Sequence, residues 1–514
     1  MDVVHKSIDR VTYRVGGPAR RSVIMLLACI LALDAADKGA VTAVAFQLEQ
    51  GLHIGNAGIG LMITVSSLVT AIISVPMGHL VDHSHRVRLI WISMLVWCAA
   101  EALSSIAPSY LFLIATRVLL GAATATAGPA IASLTGDFFP PRARGRIWGF
   151  ILTGEALGTG IGLLYSGLFG DTLGWRAAFA SLCLPSLAGA FMIWKFLPEP
   201  ARGGASWLAA GANEIIPADQ ASDVGRKPDT EIVRDTFITS IVEERGIGPA
   251  KEIVLDAGDA EMNLWQTIVY VLRVKTNLVL IIGSSLGYFF LSGARTFSII
   301  YLLGRFQVNQ GIASLVAIGV GAGIVVGLLV AGRVGDAQLK RGKLEIRILI
   351  GVVGYIVAAI LLGPALSSSS LYLSAPLLIC AGFALAAPNP GLDAARLDVV
   401  PSRMWGRSEA IRTLFRQSLE AFAPLVFGVV SSAFGSPGVG FGAGVNASRA
   451  HPTVAQTTGL EYTFLLMLVL LIAGGLVLLA ARRSYPVDIA SAVESDRRMS
   501  LHTENTTASD DSHP

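Results

Sequence analysis

Nine charged side chains stand inside stretches that are otherwise apolar: Asp34, Asp37, Lys38, Arg117 and Glu155 early in the chain, then Arg295, Arg412, Arg416 and Glu420. Charge at membrane depth is costly, so each asks for a partner or a task. Acids in such places can carry protons, and bases can hold an anionic headgroup. Asp34 and Lys38 stand four apart on one helix face, with Asp37 about 60° around the helix. If Arg117 meets Asp37 in one conformation only, protonation and conformation become linked; a permanent structural pair is the other reading. Glu155 is read either as a cavity-facing proton carrier or as the buried partner of a base. Around it Gly154, Gly158 and Gly162 form a small-residue stripe that lets another helix come close. Arg412, Arg416 and Glu420 recur every four residues on one face. Arg412, near the end of its run, can snorkel, whereas Arg416 and Glu420 lie deeper. Arg295 has no acid near it in sequence, which suits it to an anionic headgroup; pairing with Glu420 is the rival.

A second signal is a pattern carried twice. Gly78, Asp82 and Arg86, with Arg88 beyond, are matched 254 residues later by Gly332, Asp336 and Lys340. A repeat spaced by half a chain marks duplicated halves, and in a membrane protein it points to a transporter. The glycines permit tight helix packing, while the acids and bases can form salt bridges that break on opening. The repeat is therefore expected to be a cytoplasmic gate, with Asp82 facing Arg142, Arg144 or Arg146.

The elements that must position these residues are long helices. The 514-residue chain is 53% hydrophobic and 15% charged, with a mean hydropathy of +0.63, which excludes an ordinary soluble protein. Apolar runs fall at 22–47, 57–80, 88–106, 109–135, 146–169, 175–197, 276–303, 311–332, 346–363, 371–392, 408–434 and 460–481. That is twelve expected transmembrane helices, in two bundles at 22–197 and 276–482, each run long enough to cross the hydrocarbon layer. Arg20, Arg21, Arg86, Arg88, Arg142, Arg144, Arg146, Lys340, Arg341, Lys343, Arg403, Arg482 and Arg483 all fall on one side in this arrangement. The positive-inside bias makes that side the cytoplasm and puts both termini there. The first run imitates a secretory signal but is followed by many more spans, so an uncleaved anchor is expected. Residues 1–21 form a short cytoplasmic N-terminus. Residues 198–275 read as a cytoplasmic linker, with an amphipathic helix or a loosely ordered segment at 229–244. Residues 483–514 read as a disordered tail. In the loop 435–458, Asn446-Ala447-Ser448 is a glycosylation acceptor only in a secretory eukaryotic setting. Cys29, Cys98, Cys183 and Cys380 lack paired spacing and are expected to be small core residues.

Twelve spans in two halves, a long joint, and Gly78…Asp82…Arg86 with its degenerate copy resemble the major facilitator superfamily. Finer features are similar to the spinster-type branch of that family: Asp34-Ala35-Ala36-Asp37-Lys38, Arg117 with Gly121 and Pro129, Trp175-Arg176, Glu199-Pro200-Ala201-Arg202-Gly203, and Glu420-Ala421-Phe422-Ala423-Pro424 with Gly428. Departures from the branch pattern are Asp34 for an amide, Lys38 for an arginine, Thr124 for a glutamate and Gln417 near an expected histidine. The resemblance implies that span one lines a central cavity and that the protein works by alternating access. Proton-coupled movement of an amphipathic organic or lipid-like anion is expected, with Asp34, Asp37, Glu155 and Glu420 as proton-coupling candidates. Lys38, Arg117, Arg295 and Arg416 are the substrate-binding candidates. The alternatives are a multidrug/proton antiporter exporting hydrophobic cations and a non-transporting membrane receptor. An enzyme is not expected: phosphate loops, dinucleotide fingerprints, zinc spacings and nucleophile elbows are absent from the sequence. No cofactor, metal or nucleic acid is expected, and the partners are a small-molecule or lipid-like substrate, protons and membrane lipids. A monomer in the inner membrane is anticipated.

Overall fold

A computed structural model describes residues 17–52, 56–202, 208, 236–256, 262–308, 310–434 and 454–510. The apolar runs fold as helices because hydrocarbon offers the backbone no other hydrogen-bond partner. The first bundle contains α1 (Pro18–Ala43), a short α2 (Ala45–Leu52), α3 (Asn56–His83), α4 (Arg86–Ser105), α5 (Tyr110–Thr124), α6 (Ala127–Phe138), α7 (Pro141–Leu173) and α8 (Trp175–Phe196). Next come α9 (Thr236–Glu244) and α10 (Leu264–Arg273). The second bundle contains α11 (Lys275–Phe306), α12 (Gln310–Leu339), α13 (Ile346–Ser367), α14 (Leu371–Ala386), α15 (Pro388–Val399), α16 (Trp405–Phe434) and α17 (Val454–Asp510).

Ten helical stretches among the described residues are long and apolar enough to cross a membrane. Two further long helices, α1 of 26 residues and α16 of 30, are the ones that concentrate the interior charges. Collinear α5 and α6 break at Ala125-Thr126, and α14 and α15 break at Ala387. Proline follows both breaks, at Pro129 and at Pro388 and Pro390, and a missing N–H weakens the helical ladder there.

Packing explains the glycine stripe. A methyl group on Gly154, Gly158 or Gly162 would stand 2.6, 2.2 and 2.2 Å from the carbonyl oxygens of Ala28, Ala32 and Ala36. The stripe thus seats α1 directly on α7, backbone to backbone.

Three expectations change. The tail is not disordered over its first part: α17 runs through Asp510, and Tyr485, Asp488, Ile489, Ser491, Ser495 and Asp496 are buried. Ser491 and Ser495 accept the backbone N–H groups of Ala250 and Leu255, both at 2.9 Å, so the linker is strapped to α17. Within the expected amphipathic stretch 229–244, Thr236–Glu244 is helix; 229–235 lies outside the described residues, as does 435–453. Ile238, Ile241 and Val242 bury the apolar face of α9 in the second bundle's core. Cys380 is exposed on the bundle surface and not in the core.

Candidate functional site

The duplicated loops lie at one end of the molecule and join the two bundles crosswise. Asp82, closing α3, accepts the backbone N–H groups of Gly406 at 3.0 Å and Arg407 at 2.9 Å, and Arg407 Nε at 3.1 Å. Asp336, closing α12, accepts Gly145 N–H at 3.1 Å and Arg146 N–H at 2.7 Å. Each acid therefore sits on the first turns of a helix from the opposite half, where free N–H groups and the helix dipole favour a carboxylate. The glycines allow the approach. A methyl on Gly78 would fall 2.4 Å from Ala410 Cβ, and one on Gly332 would fall 2.5 Å from the Gly145 carbonyl.

Buried arginines brace both crossings. Arg86 binds Asp137, and also Glu199 at 2.7 Å and Ser133 at 3.0 Å. Arg347 binds Asp398 and the Pro141 carbonyl of the other half, with Asp336 at 3.3 Å. Arg144, expected against Asp82, instead reaches Asp398 at 3.3 Å and lies 4.7 Å from the Trp405 ring centre. Arg88 and Lys340 are exposed and are not drawn into this network. Asp137, Asp398 and Arg407 were not singled out in the sequence, nor was Arg347. Their signal was a second repeat: Asp137-Phe138-Phe139-Pro140, then Arg142 and Gly145-Arg146, recurs as Asp398-Val399-Val400-Pro401, then Arg403 and Gly406-Arg407, 261 residues on.

Charges inside the bundles form three groups. In the first half, Arg117 donates to Asp37 Oδ1 at 3.0 Å and to Ser104 Oγ at 2.6 Å, and it stands 3.5 Å from Glu101. All three charged side chains are buried, and the guanidinium rests 4.9 Å from the Phe179 ring centre. Glu101 escaped the sequence reading because it lies close to the end of its apolar run. In the second half, Arg396 contacts Asp393 at 2.5 Å and Glu409 at 3.1 Å, while Arg412 contacts Glu409 at 2.8 Å and Asp393 at 3.7 Å. Arg412 is therefore buried in a four-membered ring and does not snorkel.

Between the halves lies a small, partly open pocket, lined by Leu152, Glu155 and Ala156 from α7 and by Tyr288, Leu291, Arg295, Ile324, Leu328, Leu385, Ala386 and Asn389 from the second half. Among the described residues Arg295 has no acid at ion-pair distance, and it does not pair with Glu420. That acid binds Arg416 at 3.3 Å, with the Arg416 guanidinium 4.6 Å from the Tyr288 ring centre. Lys38 and Asp34 pair at 2.8 Å, and the lysine side chain remains 48% exposed. Glu155 lies within the electrostatic reach of both Lys38 and Arg416. No cluster suited to a metal ion is found among the described residues.

Two pseudo-symmetric helical bundles, crossed acid-to-helix contacts at one end and a charged pocket between the halves define a multi-pass membrane transporter, not an enzyme. The chain belongs to the major facilitator superfamily, whose family model matches residues 26–424. Members of that family move small-molecule substrates. The chain is 23% identical to the uncharacterized transporter YybO of Bacillus subtilis (strain 168) over 186 residues, 36% of this chain and 43% of that protein. A bacterial homolog of the human lysosomal transporter Spinster, solved inward-facing and occupied, has a TM-score of 0.59 at 19% identity, covering 92% of this chain and 98% of that one. The human organic anion transporter MFSD10 gives 0.60 at 15% identity, covering 90% and 100%. The proton:xylose symporter XylE gives 0.59 at 16% identity, covering 88% and 94%. At these identities the likeness is one of fold.

Proposed function

We propose that this transporter couples the movement of an amphipathic organic anion to protons. In this reading it has twelve spans, both termini lie in the cytoplasm of an inner membrane, and the crossed loops close the cytoplasmic side. The observation that carries the reading is Arg295: a base without an acid partner among the described residues, at an apolar-walled pocket built from both halves. Cargo seated between two bundles that rock about it is exposed to one side at a time. An anion with an apolar body matches the leucine, isoleucine and alanine walls, and the guanidinium matches its headgroup. Asp34 is already neutralised by Lys38, and Glu420 by Arg416, which leaves less unpaired negative charge for a cationic drug. An organic anion transporter and a proton symporter both use this fold, so such cargo and such coupling occur on the architecture.

Asp37 and Arg117 supply the coupling: their contact holds α1 to α5, and protonating the acid weakens it. Uptake of lysophospholipids and of organic anions into proteoliposomes, with and without an imposed pH gradient, tests the proposal. Gradient-dependent uptake that is lost in Arg295→Gln is expected. Movement of cationic drugs alone would favour the antiporter reading, and no movement of any solute would leave a receptor.

A further inference from the structure

Glu101 is an interior acid that neither the gate nor the pocket uses. Its side chain is 0% exposed, and both carboxyl oxygens are buried without a donor. The nearest base, Arg117, spends one terminal nitrogen on Asp37 and the other on Ser104. The groups set against Glu101 come from three neighbouring helices: Asp37 from α1, Arg117 from α5 and Cys183 from α8. Among them is one base for two acids. Both acids lie against the same guanidinium, Asp37 at 3.0 Å and Glu101 at 3.5 Å from Arg117. As two carboxylates they can only accept, and they repel. One proton turns them into a donor and an acceptor and removes the surplus charge from a dry site. Asp37 accepts from Arg117 at 3.0 Å, whereas neither oxygen of Glu101 has a donor, which makes Glu101 the acid that gains more from a proton.

We propose that Glu101 carries the transported proton, stored in the Asp37–Arg117–Glu101 triad and passed to Asp37 on its way to the cavity. The inference rests on the proton-coupled reading above and assigns the proton to a residue that reading did not include. In the transfer, the O–H bond of Glu101 breaks as an O–H bond to an Asp37 oxygen forms, and Asp37 then releases the proton to water. The deprotonated triad draws Arg117 toward both acids and holds α1, α4 and α5 together.

Two measurements on full-length protein in phosphatidylcholine vesicles test this. Infrared spectroscopy near neutral pH is expected to show a buried carboxylic-acid band that disappears in Glu101→Gln. A wild-type band unchanged in that variant, or no band, overturns the inference. Distances between spin labels at Arg88→Cys and Lys340→Cys, with the four native cysteines replaced by serine, are expected to change with pH in the parent and to lose that dependence with Glu101→Gln. If the parent responds and Glu101→Gln responds equally, Glu101 is not the carrier, while the coupled reading stands. If the parent shows no response, both fall.

Discussion

The ionic interiors of the two halves are equally dry but differ in their arithmetic. In the second half Arg396 and Arg412 face Asp393 and Glu409, so the ring is neutral and ties α15 to α16. In the first half Arg117 faces both Asp37 and Glu101, and neutrality needs a proton. A ring with as many bases as acids carries no surplus formal charge and behaves as a strut. An unbalanced triad has two charge states close in energy, and those are what a coupled transporter must alternate between. The crossing at Asp336 belongs with the ring: Asp336 and Asp398 against Arg144 and Arg347 also balance.

Removing a base from the ring should break this contrast most severely. Arg396→Met leaves two buried acids against one arginine, a loss of roughly 3–5 kcal/mol for an orphaned buried charge. Thermal unfolding in detergent should show a large fall in Tm and poor recovery of folded protein. Glu101→Gln keeps the shape of the side chain and, on the proposal above, its neutrality, and should cost less than about 1 kcal/mol. Equal losses in the two variants would mean that charge balance does not separate the halves.

Asp37→Asn comes next. It keeps the protein folded and inserted while removing the acid through which the proton leaves. Anion uptake driven by a pH gradient should fall by about 5- to 150-fold, the span of ordinary coupling energies. Wild-type-like driven uptake would remove Asp37 from the mechanism.

Much of this arrangement was legible in the residues. The paired glycines and acids of the two loops marked the halves, and mid-span charges marked α1, α5, α7, α11 and α16. Local spacing could not show partners that meet only through tertiary packing. Asp82 binds a helix start 324 residues away, and nothing near Asp82 signals it. Asp393 and Arg396 looked like loop residues because charge ended the apolar run at 392, whereas the helix continues to Val399 with those charges turned inward. Glu101 was passed over for a similar reason. A charge near a span's end is cheap if it reaches water, and only the packing of α8 and α5 over it shows that it does not.

The gate offers a smaller and more symmetric test. Asp82→Ala removes an acceptor from two backbone N–H groups and from Arg407, and Asp336→Ala does the equivalent on the other crossing. Each should shift the protein toward opening at the loop end by roughly 1–3 kcal/mol. The measurement is labelling of a thiol introduced by Ser408→Cys, a position buried where the two bundles cross. Similar acceleration in the two variants would confirm that the crossings share the load. Unchanged labelling would argue against the gate.

The smallest effect is expected where the first repeat seemed most regular. Its bases at matching offsets, Arg86 and Lys340, are not equivalent in space. Arg86 lies at the start of α4 and binds Asp137; the residue doing the same at the start of α13 is Arg347, which binds Asp398. Both pairs are related by 261 residues and not 254, because the second loop carries seven more residues between the acid and its arginine. Lys340 is left in that longer turn, exposed, and Arg88 faces outward on α4. Arg88→Ala and Lys340→Ala should therefore change Ser408→Cys labelling by less than about 0.5 kcal/mol, the usual range for surface substitutions. Arg347→Met should open the gate as strongly as Asp336→Ala. If Lys340→Ala opened it and Arg347→Met did not, the base that matters would be the one at the matching offset, and the pseudo-symmetry of the brace would be lost.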